Sequence, residues 1–404
     1  MNGDENRDTR CERQIPRRSL LKTLLAAPLV VAAPRFATGD MARAAGSSFP
    51  KGDFTPAPAA DNLAIGAPSA LGMDAKALQA MLAGVQRSTT NIHSVLVLRH
   101  GQLAAELYRS GVDRSIYSPW ASRRQFAPAD LHDLRSVSKG IVGLLYGILL
   151  DSGEVPGIET SVSALYPECG TLQDSARRAI RVRHLLTMTA GLEWTEPSPV
   201  HRASSTDEIG LALSPCAFNY VFQRDVFASP GTLFTYSGGL TAVLAEIMER
   251  STRRSLRQIA EERLFVPLGI TDWQWIGDIY GKPLAPIGLR LRPRDLMKLG
   301  ATMLAGGRWQ GRRVVPADWI ARSTKPSIQT APVGGYGFQW WSMTTRWKDL
   351  DLPVTAAIGN GGQRLFLVPD LDLAVVATAG DYGDPAIATP MTAILQSVVG
   401  TVSV

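Results

Sequence analysis

Cysteine and histidine are scarce in this sequence, which contains three cysteines and five histidines among 404 residues. No two cysteines have C-x-x-C spacing, and no histidine lies in an H-E-x-x-H frame. The residue patterns that bind structural or catalytic zinc are therefore missing, and we predict no metal site. The sequence leaves open whether Cys169 and Cys216 form a disulfide or remain two buried thiols.

Runs of like charge are also missing. The chain has 42 basic and 36 acidic residues, a formal net charge of +6, and no stretch of five consecutive basic residues. This pattern does not favour a nucleic-acid partner. With 45% hydrophobic residues, the composition is that of a globular protein and excludes a multi-spanning membrane protein. The length is sufficient for two or three structural units with cores of their own.

The N-terminal segment predicts export. Arg17-Arg18 precede an apolar stretch from Thr23 to Ala33, and the small-residue pattern Ala42-Arg43-Ala44 follows. These are the parts of a secretory signal, and paired arginines are typical of the twin-arginine type. Because the apolar stretch is short and interrupted by Pro28, we expect no membrane anchor. We predict a signal peptide over residues 1–44 and a periplasmic or secreted protein; the alternative is a frayed cytosolic N-terminus.

Removal of residues 1–44 would take away eight basic and five acidic residues. The net charge would fall from +6 to +3, so half of the basic excess belongs to the leader. What remains gives no reason to expect an anionic partner.

Hydrophobic patterning predicts an α+β fold. Residues 45–72, rich in Pro, Ala, Gly and Ser, predict an irregular lead-in to a domain over 73–404. The predicted elements are a helix after Asp74, a hairpin of 95–98 and 103–108, a buried helix over 141–150, helices over 240–250 and 294–304, strands over 364–368 and 373–378, and a helix at about 391–399. Strand-rich ends around a helical centre predict one antiparallel sheet built from both chain ends, with an inserted helical subdomain at about 155–330.

Lysine is the scarcest charged residue, accounting for only eight of the 42 basic residues. Lys139 is the only lysine between Lys76 and Lys282, and it lies three residues after Ser136 at the start of the predicted buried helix. That spacing places both side chains on one helix face, within contact distance. A serine hydroxyl becomes a strong nucleophile only when a base takes its proton. Lysine can be that base only where burial and the helix N-terminus lower its pKa.

Two alternatives stay open on these residues alone. One is a serine that caps the helix, followed by a surface lysine. The other is a Ser-His-Asp triad, although no G-x-S-x-G sequence is present. His132 precedes the helix, and His184 lies in an apolar segment typical of a hydrogen-bonded core histidine.

Several segments, in order, carry a family resemblance. They are Ser136-Val137-Ser138-Lys139, Ile180 to Leu192, Pro230 to Gly239, Pro267 to Ile270, and Gly359 to Gln363. Together they resemble the serine β-lactamases and penicillin-recognising hydrolases. The resemblance is closer to the class C β-lactamase-related esterases and amidases, in the branch of the 6-aminohexanoate-dimer hydrolases. It runs from about residue 72 to about residue 380 and implies a β-lactamase/transpeptidase-like α+β fold.

The resemblance also implies residue roles. Ser136 is the nucleophile that becomes acylated, and Lys139 and Tyr236 share the acid and base work. Which of the two is the base is left open, since a phenol beside an ammonium has its pKa lowered toward the working range. The backbone N–H groups of Ser136 and Gln363 would form the oxyanion hole.

The resemblance places Asn360, Gly361 and Gly362 at the substrate. The glycines suit a substrate that lies against the strand backbone, because no side chain intervenes. No cofactor is implied.

Two positions depart from the β-lactamase pattern. Gly238 stands where β-lactamases have the Asn of Tyr-x-Asn, and Asn360 stands where they have Lys or His. Asn360 can hydrogen-bond but cannot pair with a substrate carboxylate. Strand alternation would point Arg364 away from the face that Gln363 lines.

These departures predict a serine hydrolase that acts on a small, neutral ester or amide through an acyl-enzyme. The alternatives are a β-lactamase or D-amino-acid peptidase, and a non-catalytic penicillin-binding-like protein. Trp194, Trp340 and Trp341 could wall an acyl pocket, although tryptophans at such places are more often core packing. The sequence reveals neither the acyl and leaving groups nor the oligomeric state.

Overall fold

The computed structural model describes residues 53–197, 206–331 and 334–403. The predicted signal peptide over residues 1–44 lies outside these residues and stays a prediction. The fold is that of the unit Phe54–Val404. None of the described helices is both long enough and apolar enough to cross a membrane.

The secondary structure alternates between strand-rich ends and a helical centre. The described strands are β1 (Ala64–Ile65), β2 (Ile92–Arg99), β3 (Gln102–Tyr108), β4 (Ser110–Asp113), β5 (Ser122–Gln125), β6 (His132–Asp133), β7 (Trp273–Trp275), β8 (Leu289–Leu291), β9 (Arg308–Trp309), β10 (Arg312–Arg313), β11 (Ile328–Thr330), β12 (Gly334–Tyr336), β13 (Trp341–Trp347), β14 (Leu350–Gly359), β15 (Gln363–Val368) and β16 (Leu373–Ala379). The described helices are α1 (Ala75–Arg87), α2 (Val137–Asp151), α3 (Val162–Leu165), α4 (Ser175–Arg178), α5 (Val182–Leu186), α6 (Asp207–Ala212), α7 (Ala217–Phe222), α8 (Gly238–Thr252), α9 (Leu256–Ala260), α10 (Pro293–Leu304), α11 (Ala317–Thr324) and α12 (Ala388–Gly400).

The main sheet is built from both ends of the chain. Its order is β1-β3-β2-β16-β15-β14-β13-β12-β11. The strands β2 and β16 are antiparallel neighbours, with Val97 opposite Val375. The short edge strand β1 is parallel to β3, whereas the other neighbours are antiparallel. The predicted α+β fold, with a sheet formed by both chain ends, is therefore confirmed.

Helices cover the centre of this sheet. α10 packs on β15, β16 and β2, and α12 packs on β13 and β16. Every residue of β2 and of β16 is buried. Strands covered on both faces have continuous apolar sequences rather than alternating ones. This explains the uninterrupted apolar runs at 95–98 and 373–377.

The predicted local elements are also found. Asp74 caps α1, since its carboxylate accepts hydrogen bonds from the N–H groups of Lys76 (2.9 Å) and Ala77 (3.0 Å). The predicted hairpin is β2–β3, and the predicted buried helix is α2, which is buried from Val137 to Leu149. The remaining predicted helices correspond to α8, α10 and α12, and the predicted C-terminal strands to β15 and β16.

The helical centre fixes the start of α2. The three-stranded sheet β6-β8-β7 belongs partly to this region. The N–H of Leu134 donates to the carbonyl of Leu289 (2.9 Å), and the N–H of Leu289 donates to Oγ of Ser138 (3.2 Å). These contacts hold the chain on both sides of Ser136.

Cys169 is a free, half-buried thiol. The disulfide between Cys169 and Cys216 that the sequence left open is therefore not formed.

Gly147 is the closest contact between α2 and α11. The indole of Trp319 donates to the carbonyl of Gly143 (2.9 Å), and a Cβ on Gly147 would overlap the same ring. We expect Gly147→Ala to lower the free energy of unfolding by about 1–3 kcal/mol through overpacking. This loss opposes the preference of helices for alanine over glycine, about 1 kcal/mol. Urea unfolding measures the effect.

The matched control is Gly84→Ala in α1, where an added methyl group meets nothing within 4 Å. This substitution should stabilise by up to ~1 kcal/mol. Equal destabilisation by both substitutions would contradict the packing argument.

Candidate active site

Ser136 lies at the N-terminus of α2 with its hydroxyl free of any capping role. Its backbone has φ −64° and ψ −6°, and its side chain makes no capping hydrogen bond. Instead, Nζ of Lys139 donates to Oγ of Ser136 at 3.0 Å. Lys139 is only 1% exposed. The alternative of a helix cap followed by a surface lysine is therefore wrong.

The Lys139 ammonium is enclosed by a carboxylate and an aromatic ring. Nζ donates to Oε1 of Glu196 at 2.8 Å and lies 4.5 Å from the centre of the Tyr236 ring. Burial, the largest single influence, lowers the pKa of Lys139, but the negative charge of Glu196, its hydrogen bond to Nζ, and the charges of Tyr236 and Glu208 together raise this pKa above its ordinary value. The lowered pKa that Lys139 would need to act as a base is therefore not found, because the sequence argument did not include Glu196.

Glu196 is held by two further donors. Its Oε2 accepts from Nε1 of Trp194 (2.8 Å) and from the N–H of Gly238 (2.5 Å). A Cβ on Gly238 would lie 3.0 Å from Oε2, so glycine leaves room for the carboxylate. Sequence reasoning missed Glu196. The available signal was the isolated lysine in an apolar helix, because a buried ammonium requires a counter-ion.

A second carboxyl group adjoins this pair. Glu208, in the first turn of α6, interacts with Glu196 and is half-buried. Burial and the charge of Glu196 raise the pKa of Glu208, whereas the charges of Lys139 and Arg135 lower it. The resulting pKa is about 7. Two adjoining carboxyl groups that share one proton behave in this way. Sequence reasoning also missed Glu208, which has no recognisable spacing to Ser136.

Tyr236 precedes α8 and is packed among aromatic rings. Its ring contacts those of Phe234, Tyr336 and Trp341, and its hydroxyl interacts with Ser136 and Lys139. Burial raises the pKa of Tyr236, and the Lys139 ammonium offsets this only in part. The expected lowering of this pKa is therefore wrong in sign. The phenol keeps its proton at neutral pH.

The last segment of the resemblance, Gly359 to Gln363, meets the first at the end of β14. Gly359 pairs with Gln363 and lies against Leu134 and Arg135, directly before Ser136. Arg135 has a left-handed backbone (φ 51°), and its guanidinium stacks over Tyr382 (4.3 Å). A non-glycine residue in this conformation next to Ser136 is held by its surroundings. The structure thus brings the predicted site segments together; the oxyanion role of the Gln363 N–H stays a prediction.

The turn before Gln363 has its own structural demands. Asn360 is exposed, and its Oδ1 accepts from the N–H of Gly383 (2.8 Å). Gly361 and Gly362 have φ values of 82° and 97°, which favour glycine. A Cβ on Gly361 would overlap the ring of Tyr382. The fold itself therefore requires these glycines, and their contact with substrate stays a prediction.

The Arg364 side chain binds the backbone of the segment Gly359 to Gln363, and its direction relative to the substrate face stays a prediction. Arg364 is buried, and its Nη1 donates to the carbonyls of Gly359 and Gln363, both at 2.9 Å. Its guanidinium is therefore occupied by backbone.

A histidine-based triad is not supported. Both ring nitrogens of His184 face donors, the N–H of Arg181 and Nε of Arg183, each at 3.1 Å. Burial lowers the pKa of His184 to about 4, so it is a neutral core histidine. Within the described part of the chain, Oγ of Ser136 accepts a hydrogen bond from Lys139 and interacts with Tyr236 rather than with a histidine.

The three tryptophans are packing residues. Trp194, Trp340 and Trp341 are 9%, 0% and 1% exposed. Trp340 lies against Gly140 of α2, and Trp341 against Tyr236. They support the site instead of lining an open pocket.

The family assignment follows from comparison with known proteins. A beta-lactamase family profile matches residues 83–395. The chain belongs to the beta-lactamase family. It is 28% identical over 309 residues to the 6-aminohexanoate-dimer hydrolase of Paenarthrobacter ureafaciens, a match that covers 72% of each chain. It is also 28% identical over 217 residues to Esterase EstB of Burkholderia gladioli, covering 51% of this chain and 53% of the esterase.

Solved structures show the same fold. The D-amino acid amidase from Ochrobactrum anthropi SV3, complexed with L-phenylalanine amide, superposes with a TM-score of 0.56 at 16% identity. The match covers 80% of this chain and 97% of the amidase. The beta-lactamase family and its hydrolase relatives identify this protein as a serine hydrolase.

The raised pKa of Glu208 makes stability depend on pH. Its carboxyl has a pKa of about 7 in the folded chain against 4.5 for an unperturbed glutamate. The folded chain therefore binds more protons between these values, and the free energy of unfolding falls as pH rises through this window. Glu208→Gln removes this loss. We expect the melting temperature of Glu208→Gln, relative to wild type, to be higher at pH 8 than at pH 5.

The control is Glu261→Gln, which changes an exposed glutamate. This variant should shift the melting temperature equally at both pH values. A Glu208→Gln shift that is the same at pH 5 and pH 8 would contradict the raised pKa.

Proposed function

We propose that this protein hydrolyses an ester or amide of a small, neutral substrate through an acyl-enzyme on Ser136. The observation that carries this proposal is the environment of the Ser136 hydroxyl. It makes no capping hydrogen bond to the helix, accepts one from the Lys139 ammonium (3.0 Å), and interacts with Tyr236. A nucleophile with proton-handling groups on both sides is the arrangement that acyl transfer requires.

The two neighbours of Ser136 suit different proton transfers. In the proposed first step, Oγ of Ser136 attacks the substrate carbonyl, and the N-terminus of α2 stabilises the oxyanion together with the N–H of Gln363. Tyr236 keeps its proton at neutral pH, which suits the donor to the leaving group. Water then attacks the acyl-enzyme and releases Ser136.

Two features favour a neutral substrate. Asn360 replaces the cation that β-lactamases carry at this position, and its side chain accepts a hydrogen bond from Gly383. The neighbouring Arg364 is occupied by backbone carbonyls. The names of the relatives, a dimer hydrolase, an esterase and an amidase, support ester and amide chemistry.

A paired substrate panel tests the reaction. We expect turnover of p-nitrophenyl butyrate to exceed that of nitrocefin clearly, and Ser136→Ala to abolish it. A fluorophosphonate probe should label wild type but not Ser136→Ala. β-Lactam turnover well above ester turnover would make the protein a β-lactamase. A wild type without Ser136-dependent labelling would be a binding protein without a working nucleophile.

Lys139→Arg separates charge from proton transfer. The substitution keeps a positive charge beside Glu196, but a guanidinium does not release its proton near neutral pH. We expect kcat/KM for p-nitrophenyl butyrate to fall about 10²–10⁴-fold, the usual contribution of general acid–base catalysis. Lys325→Arg, at an exposed position, is the control and should keep wild-type activity. Retained turnover in Lys139→Arg would exclude Lys139 from proton transfer.

A further inference from the structure

We propose that Glu196 is a positioning residue that accepts, through Lys139, the proton that leaves Ser136. This inference rests on the proposed acyl-enzyme function and deepens it. The active site then contains a proton relay formed by Ser136, Lys139 and Glu196, with Glu208 setting the charge at its end.

The relay is continuous and shielded from water. Oγ of Ser136 lies 3.0 Å from Nζ of Lys139, which lies 2.8 Å from Oε1 of Glu196. The side chains of Lys139 and Glu196 are 1% and 2% exposed. A proton on Lys139 therefore has a carboxylate within one hydrogen bond, whereas bulk water has no access to the pair.

Lys139 cannot take the Ser136 proton without giving one up. Its ammonium already carries three protons, and the adjoining Glu196 carboxylate stabilises that form. One proton must pass from Nζ to Oε1 of Glu196 as the proton of Ser136 passes to Nζ and Oγ attacks the carbonyl carbon. Glu196 is then neutral, Lys139 is again an ammonium, and the negative charge lies on the tetrahedral intermediate. When this intermediate collapses, the C–O or C–N bond to the leaving group breaks, and the leaving group takes a proton from Tyr236. The proton on Glu196 then passes to Lys139 while Lys139 gives one to Tyr236, which restores the resting state.

The backbone around Glu196 is built to hold this carboxylate in place. Trp194 and the N–H of Gly238 fix its second oxygen. Gly238 is the position at which β-lactamases carry an asparagine side chain. In this chain the missing side chain leaves the space that Glu196 occupies.

Glu208 tunes the acceptor. Several groups face Glu196: Lys139 from α2, Tyr236 and Gly238 at the start of α8, Trp194 from its own segment, and Glu208 from α6. Arg135 interacts with Glu208, and Tyr336 of β12 lies behind Tyr236. A charged Glu208 repels the charge on Glu196, and transfer of a proton from Lys139 to Glu196 relieves this repulsion. Activity should therefore rise with pH as Glu208 loses its proton.

The test is the dependence of kcat/KM on pH, from pH 5 to pH 9, with p-nitrophenyl butyrate. Glu196→Gln keeps the volume of the side chain and removes the proton acceptor. We expect a loss of at least about 100-fold at pH 7 and a profile of different shape, governed by Lys139 itself. Glu196→Asp, which keeps a carboxylate, should recover part of the activity and the wild-type shape.

Asp295→Asn is the matched control for loss of a buried carboxylate. Asp295 pairs with Nζ of Lys298 at 2.8 Å, and both side chains are buried, as in the Glu196–Lys139 pair. We expect this variant to melt at a lower temperature but to keep the wild-type pH profile. If Glu196→Gln behaves like Asp295→Asn, or keeps activity within about threefold of wild type, the relay is wrong.

Glu208→Gln covers the case in which Glu196→Gln does not fold. Because Glu208 is half-buried, this variant should fold, and we expect it to lose the rise in kcat/KM between about pH 6 and pH 8. A wild-type rise in Glu208→Gln would overturn its tuning role. Wild type that neither turns over the ester nor labels at Ser136 refutes the proposed function itself, whereas an active, labelled wild type with unchanged Glu196→Gln kinetics refutes the relay alone.

Discussion

A buried ammonium is the constraint on which this site depends. Lys139 is buried in the first turn of the apolar helix α2, and an unpaired charge there would cost several kcal/mol. Glu196 compensates the charge at 2.8 Å. The carboxylate is itself satisfied by Trp194 and by the backbone of Gly238. Each group in this chain of contacts therefore requires the next one.

The same compensation alters the chemistry of the site. A lysine that is buried without a partner loses its proton and can act as a base, whereas a lysine paired with a carboxylate keeps it. The pKa of Tyr236 is raised as well, so both groups beside Ser136 are protonated in the resting state. Glu196 is the neighbouring group that can accept a proton. The protonation states of the groups around Ser136, more than the serine itself, decide how this site can work.

The sequence was informative where a signal is local. The apolar run of α2 predicted the buried helix, the isolated Lys139 predicted the Ser-Lys pair, and the strand-rich ends predicted the sheet. In that sheet, β14 and β15 lie beside α2. Glu196 and Glu208 could not be found in this way, because they lie 57 and 69 residues beyond Lys139 and carry no periodic pattern. The predicted direction of the Lys139 pKa shift was wrong for the same reason. Desolvation can be inferred from an apolar helix, but a counter-ion from a distant segment cannot.

The two departures from the β-lactamase pattern have different physical meanings. At Gly238 the absence of a side chain lets Glu196 approach the backbone. Glu196 thereby adds a negative charge next to Lys139. At Asn360 the loss of a cation has no such replacement from Arg364, which is held by Gly359 and Gln363. The first departure leaves room for a carboxylate beside Lys139, and the second removes a cation from the proposed substrate side. This internal balance of charges supports the neutral substrate that we propose.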